Sequence, residues 1–332
     1  MVPFAYTSVA DPLAAVQRTT QGAGAVYVAG GTDLLQLLQE GVAAPTELVD
    51  INPIGFDDVS VAVDGVRIGA MARLSDVAGD PTVRERFPVV AEALHESASP
   101  QVRNMATVAG NLLQRTRCLY FRDATTPCNK RVPGSGCSAQ EGHNRINAIL
   151  GGSPQCFAAY PGDFAVALVA CDAEIMVRGE DGERTVLVEN LHRLPGDTPH
   201  LETELKPGDL ITAIWIPLQA AGRRSHYVKV RDRATFEWAL ASAAVSLGLD
   251  GDRVIDARVA VGGVGTKPWR LRHVEEILMD RRLDRALARE AGKRAAVGAE
   301  PRGQNAFKVP LLKKTVERAL LRVGGYAAGE DE

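Results

Sequence analysis

Neither sign of charge is in excess in this sequence. Its 38 Lys and Arg stand against 41 Asp and Glu, a formal net charge of −3 over 332 residues. Attraction to nucleic acid or to an anionic membrane surface needs a basic surplus, so neither partner is expected. No apolar run reaches the length of a membrane span. The opening MVPFAYTSVADPLAAV has no basic segment followed by a long apolar core, so it does not read as a secretory signal. Histidine is scarce, with six scattered copies, and no Ser/His/Asp set or paired-carboxylate arrangement stands out, which argues against a hydrolase. The closely spaced CxxC pair of structural zinc sites is absent as well. Aromatic content is only 5%, whereas Ala, Val and Gly are abundant, the composition of a soluble α/β protein.

What the chain does have is a concentration of cysteine. Four of its five cysteines, Cys118, Cys128, Cys137 and Cys156, fall between Gln101 and Leu168. That stretch is rich in Gly, Pro, Asn and Arg and shows little apolar periodicity, so it reads as a long ordered loop. Such loops are uncommon inside compact domains unless they are functional or disordered, and four cysteines point to a ligand that ties this one down. The gaps of nine, eight and eighteen residues suit an iron–sulfur cluster wrapped by the loop. Zinc and unliganded thiols remain open on spacing alone. Disulfides are rare in the cytosol. The fifth, Cys171, lies in the apolar run AVALVACDAEI and reads as a small buried core residue.

The length suggests two or three domains. Strands are expected at PFAYTS (3–8), Ala25–Val28, TELVDI (46–51), GVRIGAM (65–71), LITAIWIPL (210–218), SHYVKVRDR (225–233) and RVIDARVAVGGVG (253–265). Asp11 followed by Pro12 marks a helix start, and further helices are expected over 34–39, 72–81, 85–99, 271–297 and 306–323. DFAVALVACDAEIMVRG reads as a helix running into a strand, with a hairpin at Asp181-Gly182; FEWALASAAVSLGL reads as helix or strand. The polar break at 219–225 reads as a domain boundary and the tail AAGEDE as frayed. Two glycine turns stand out. AVYVAGGTDLL runs from strand through Gly30-Gly31 into a helix, an arrangement suited to anions although neither a GxGxxG nor a P-loop. RNMATVAGN (103–111) again offers small residues for close backbone approach, and two such turns point to a dinucleotide ligand.

VAGGTDLL, RNMATVAGNLLQ and GGVGTKPWR together resemble the FAD subunit of the molybdenum hydroxylase family, which includes xanthine dehydrogenase, carbon monoxide dehydrogenase and bacterial aldehyde oxidoreductases. RTRCLYFRDATTPCNKRVPGSGCSA with KVRDRATF resembles its cysteine-bearing branch, the FAD/4Fe-4S subunits of three-subunit periplasmic aldehyde oxidases. The resemblance implies an α+β chain. Residues 1–218 would form an FAD-binding domain of the vanillyl-alcohol oxidase type, two α+β subdomains with a 4Fe-4S loop at about 115–160. Residues 225–326 would form a small α/β C-terminal domain of the CO dehydrogenase flavoprotein type. It further implies that Val28, Ala29, Gly30, Gly31, Thr32, Asp33 and Leu34, with Thr107, Gly110 and Asn111, hold FAD. Asp163 would lie near the ribityl and ribose region, Lys229 would face the flavin, and Cys118, Cys128, Cys137 and Cys156 would bind one 4Fe-4S cluster. Asn147 stands where the family pattern has histidine, and Gly162 where it has serine.

The function implied is electron transfer. A molybdenum-cofactor subunit would oxidise an aldehyde, a 2Fe-2S subunit would pass the electrons on, and FAD here would release them to an external acceptor. The flavin subunit of an aromatic acyl-CoA reductase, with reversed flow, is an alternative. A zinc-bearing docking module and a stand-alone flavin oxidase are more distant ones. Cytoplasmic residence is expected, or periplasmic if a partner carries a twin-arginine signal.

Overall fold

The computed structural model describes residues 2–218 and 224–326. The expected boundary at 219–225 falls largely outside the described residues, and the tail AAGEDE wholly so.

Three sheets organise the chain. The first is a small parallel sheet of β1 (Ala5–Ser8), β2 (Ala25–Val28) and β3 (Glu47–Asp50), ordered β1-β3-β2. The helix Pro12–Gln21 joins β1 to β2. Its start is as expected: the Asp11 carboxylate accepts from the Ala14 N–H at 2.7 Å, and Pro12 fills the first turn, where no N–H is needed. The second sheet is antiparallel, β4 (Val59–Val61), β5 (Gly65–Gly69), β6 (Glu174–Gly179), β7 (Gly182–Leu187) and β8 (Leu210–Pro217), ordered β4-β5-β8-β6-β7. The β6–β7 hairpin turns at Asp181-Gly182, where Gly182 takes φ +115°. The third is the antiparallel sheet of β9 (Arg224–Val230), β10 (Ala241–Asp250), β11 (Arg253–Gly262) and β12 (Trp269–Arg270), ordered β12-β11-β10-β9.

The helix Asp163–Val169 is the keystone. All seven of its residues are buried. It packs within one apolar core that takes Ile175, Ile214 and Ile216 from the second sheet and Tyr227, Ala244 and Ala260 from the third. That position explains its unbroken run of apolar residues. A second core lies on the other face of the third sheet, under the helices Arg272–Leu278, Arg285–Arg294 and Lys308–Val323.

Several elements differ from expectation, each for a local reason. β10 is strand because both its faces are covered. Ala243, Val245 and Leu247 enter the outer core, Ala244 enters the inner one, and alternation is lost. The span 85–99 breaks at Phe87: Glu85 and Arg86 end a helix Pro81–Arg86, capped by Asp80, which accepts from the Val83 N–H at 3.0 Å, and a second helix covers Pro88–Glu96. The span 271–297 divides at Asp280, which takes φ +59°, and Asp284 caps the second helix.

Candidate cofactor sites

A cleft of about 560 Å³ opens between the first sheet, the second glycine segment and the connection from β9 to β10. Val28, Ala29, Gly30, Gly31, Thr32, Asp33, Leu34, Thr107, Gly110, Asn111 and Asp163 all line it. Its size is that of a cofactor pocket. Thr107 caps the short helix Val108–Leu112 through its hydroxyl, which accepts from the Gly110 N–H at 3.2 Å. Gly31 takes φ +70°, a conformation that favours glycine. Gly30 is needed for another reason. A Cβ there would lie 2.0 Å from the Met105 carbonyl oxygen, so the two glycine segments touch at this point. Asn111 Oδ1 and Arg117 Nε are buried on the cavity wall without a hydrogen-bond partner in the protein. Polar atoms left so are normally satisfied by a ligand or water. A cavity with these orphaned groups and two glycine turns fits FAD.

Asp163 and Lys229 meet each other. Lys229 Nζ donates to Asp163 Oδ2 at 2.8 Å and to the Glu96 carbonyl at 2.9 Å, while Tyr227 Oη donates to Asp163 Oδ1 at 2.6 Å. The Lys229 side chain is 1% exposed, and Asp163, not Lys229, lines the cavity. Lys229 therefore reaches the cleft only through Asp163. Burial and the Asp163 charge raise the Tyr227 pKa well above its ordinary value, keeping it a donor.

Sequence reading alone missed much of the cavity wall. Phe236, Glu237 and Trp238 close one side, from the connection between β9 and β10. Ala98 and Phe236 line the cavity at φ +50° and +53°, conformations that non-glycine residues seldom adopt. Arg115 and Arg117, which precede Cys118, also line it. The one signal available in the sequence was the placement of these arginines between the second glycine turn and the first cysteine.

Cys118, Cys128, Cys137 and Cys156 line one small, apolar pocket with Phe121, Ala139 and Ala158. They form no disulfide. Cys171 sits elsewhere, 1% exposed in the inner core. The sequence between the thiols folds as turns around one short helix, Leu119–Arg122, and the backbone pairs Cys128 with Cys137 in a single bridge. Burial raises the pKa of Cys118, Cys137 and Cys156, the last to about 11. N–H groups oppose this: those of Phe121 and Tyr120 at Cys118, Ala139 and Gln140 at Cys137, and Ala158 at Cys156. The Asn147 amide, buried in place of the expected histidine, donates to Cys118 Sγ at 3.8 Å. Thiols pushed up by burial yet ringed by N–H donors need a positive centre to become thiolates. Four cysteines at one pocket are the donor type that an iron–sulfur cluster takes. Among the described residues, no group of three or more His, Cys, Asp or Glu is placed to hold a metal ion.

The chain resembles known proteins along its whole length. Residues 2–219 match the family described as the FAD binding domain in molybdopterin dehydrogenase, and residues 226–323 match the CO dehydrogenase flavoprotein C-terminal domain. It is 42% identical over 329 residues to the aldehyde oxidoreductase FAD-binding subunit PaoB of Escherichia coli, covering 98% of this chain and 100% of that one. It is 30% identical over 312 residues to the carbon monoxide dehydrogenase medium chain of Hydrogenophaga pseudoflava, covering 90% and 89%. A solved structure of carbon monoxide dehydrogenase from Hydrogenophaga pseudoflava superposes with a TM-score of 0.77 at 26% identity, covering 99% of this chain and 100% of that one. No described helix is long and apolar enough to cross a membrane.

Proposed function

The chain belongs to the FAD-binding subunits of the molybdenum hydroxylase family, and on that premise we propose that it is the electron-transferring flavin subunit of an aldehyde oxidoreductase, with a 4Fe-4S cluster held by Cys118, Cys128, Cys137 and Cys156. The observation that carries this reading is the adjacency of the two sites. Arg115 and Arg117 line the flavin cavity, and Cys118, the next residue, lines the thiol pocket. Four cysteines line one pocket, and their gaps of nine, eight and eighteen residues suit a cluster wrapped by the loop better than a zinc site built on closely spaced pairs.

FAD, when bound, supplies chemistry that accepts and releases electrons singly or in pairs, and a cluster held by the four cysteines would supply a one-electron centre. The protein contributes placement and shielding. The two glycine turns would hold the dinucleotide, and Asn111 Oδ1 and Arg117 Nε would be available to hydrogen-bond it. Phe236 and Trp238, on one side of the cavity, would shield it from solvent. A molybdenum subunit and a 2Fe-2S subunit are the proposed donors, with an external acceptor receiving the electrons.

Metal analysis of anaerobically purified protein tests the cluster. About four irons per chain are expected, with a sharp loss in Cys137→Ser and parental iron in Cys171→Ser. Bound zinc without iron, or equal loss in both variants, contradicts the assignment. Aldehyde turnover is expected only when a molybdenum subunit co-purifies; turnover by the isolated chain with an artificial acceptor would make it a stand-alone oxidase instead.

A further inference from the structure

The glycine turn and the cysteine loop are fastened together at one carboxylate. Asp33 Oδ2 accepts from the Arg115 backbone N–H at 2.8 Å; Oδ1 accepts from Arg117 Nη1 at 2.5 Å and from Arg122 Nη2 at 2.7 Å. Asp33 stands where an N-cap residue precedes the helix Leu34–Gln39, yet its side chain makes no capping bond. Its oxygens go to the loop instead. All three donors come from the eight residues 115–122, with Cys118 in their midst. The ion pairs are well covered, with side-chain exposures of 13–17%.

Two further contacts make the junction continuous. Arg115 and Arg122 lie over the Phe121 ring, at 4.5 and 6.0 Å, and Phe121 is fully buried on the wall of the thiol pocket. On the opposite side, Arg117 lies 4.9 Å over the ring of Trp238, and both line the flavin cavity. A second strut runs from Lys130, beside Cys156, to Glu202 at 2.7 Å, and Glu202 in turn accepts from Arg115 Nε at 2.5 Å.

We propose that Asp33 is a positioning residue that couples the two cofactor sites: a filled thiol pocket orders residues 115–122, and through Asp33 that order sets the first glycine turn for FAD. The inference rests on the cluster reading above. Its physical basis is the cost of a buried carboxylate without donors. If the cysteine segment loosens, Asp33 must either lose its partners or move toward water, and Gly30-Gly31 move with it. Burial alone would raise the Asp33 pKa, but the Arg117 charge, the Arg115 N–H and Arg122 outweigh it and lower the pKa, so the carboxylate is charged in the assembled state. The coupling is reciprocal: bound FAD must favour cluster retention by the same factor.

The test is a thermodynamic cycle on the full chain with whatever subunits co-purify. FAD dissociation constants are measured by flavin fluorescence in cluster-loaded protein and in protein stripped of iron by oxidant and chelator. Iron content is determined in each sample. Stripping is expected to weaken FAD binding roughly 5- to 150-fold in the parent. In Asp33→Asn, and independently in Arg122→Gln, the loaded-to-stripped ratio should fall toward one. A general loss of stability would shift both states alike and leave the ratio standing. Equal FAD affinity in loaded and stripped parent, or an undiminished ratio in both variants, would overturn the coupling while leaving the cluster in place. Absence of iron from the parent would overturn the cluster reading and this inference with it.

Discussion

At the residue scale, chemistry legible in the sequence is sometimes put to a different use by the fold. Gly30 is the clearest case. A glycine in a strand-to-helix turn suggests room for a phosphate, yet its missing Cβ makes room for the Met105 carbonyl. Gly30→Val is therefore expected to push the two glycine segments apart and to abolish FAD retention after desalting, read from absorbance. Stoichiometric flavin in that variant would show that the contact is dispensable. Nothing in KVPLLKK marks Lys308 as a buried lysine. It is fully buried, donating to the carbonyls of Ile146 at 2.9 Å and Gly263 at 2.7 Å, and burial, aided by the Arg145 charge, brings its pKa down to about 7. A lysine whose pKa falls on folding binds fewer protons folded than unfolded between about pH 7 and its ordinary value of 10.5. Stability from this residue must rise as pH increases across that window and be smallest below it. Lys308→Met should destabilise by about 1–3 kcal/mol for the orphaned carbonyls and flatten the rise in melting temperature between pH 7 and 9.5.

At the scale of elements, most strands and helices were readable, among them the fully buried helix Asp163–Val169, and β10 was the exception. β2, β8 and the helix Leu34–Gln39 lie where apolar pattern and flanking residues put them. β10 was ambiguous because burial on both sides erases its alternation. The cysteine loop was legible as a loop, but its place as a wall of the flavin cavity was not, because that depends on contacts between residues 82 to 89 positions apart. The connection between β9 and β10 was equally opaque, since a Phe and a Trp in an irregular segment carry no periodic signal. Trp238 is 41% exposed, so its removal should leave the fold intact. Trp238→Ala should raise the FAD dissociation constant by a few-fold to about tenfold, corresponding to roughly 0.5–1.5 kcal/mol for an aromatic contact. Unchanged affinity by fluorescence titration would place the flavin ring away from this side of the cavity.

For the whole molecule, the question is whether the flavin-binding part and the third sheet form one cooperative unit. The apolar core runs through both, and charged groups cross the same junction. Asp163 receives Lys229 and Tyr227 from β9; Glu92 receives the Tyr227 N–H at 2.7 Å; Asp172 receives Arg270 at 2.8 Å and Arg258 at 2.5 Å. The Asp163–Lys229 pair is the deepest, and such pairs stabilise little relative to apolar residues, yet breaking one strands a charge. Asp163→Leu should cost about 3–5 kcal/mol, because Lys229 is left buried with only the Glu96 carbonyl. Asp163→Leu combined with Lys229→Met should recover much of that loss, although Tyr227 still lacks its acceptor. Calorimetry on flavin-free protein separates this effect from the loss of a cavity-lining residue. One transition in the parent that divides into two in Asp163→Leu, and rejoins in the double variant, would establish the pair as the bolt between the two parts. If the single variant unfolds in one transition at the parental temperature, the shared apolar core alone holds them together, and the carboxylate at the head of the helix Asp163–Val169 serves only the cavity it lines.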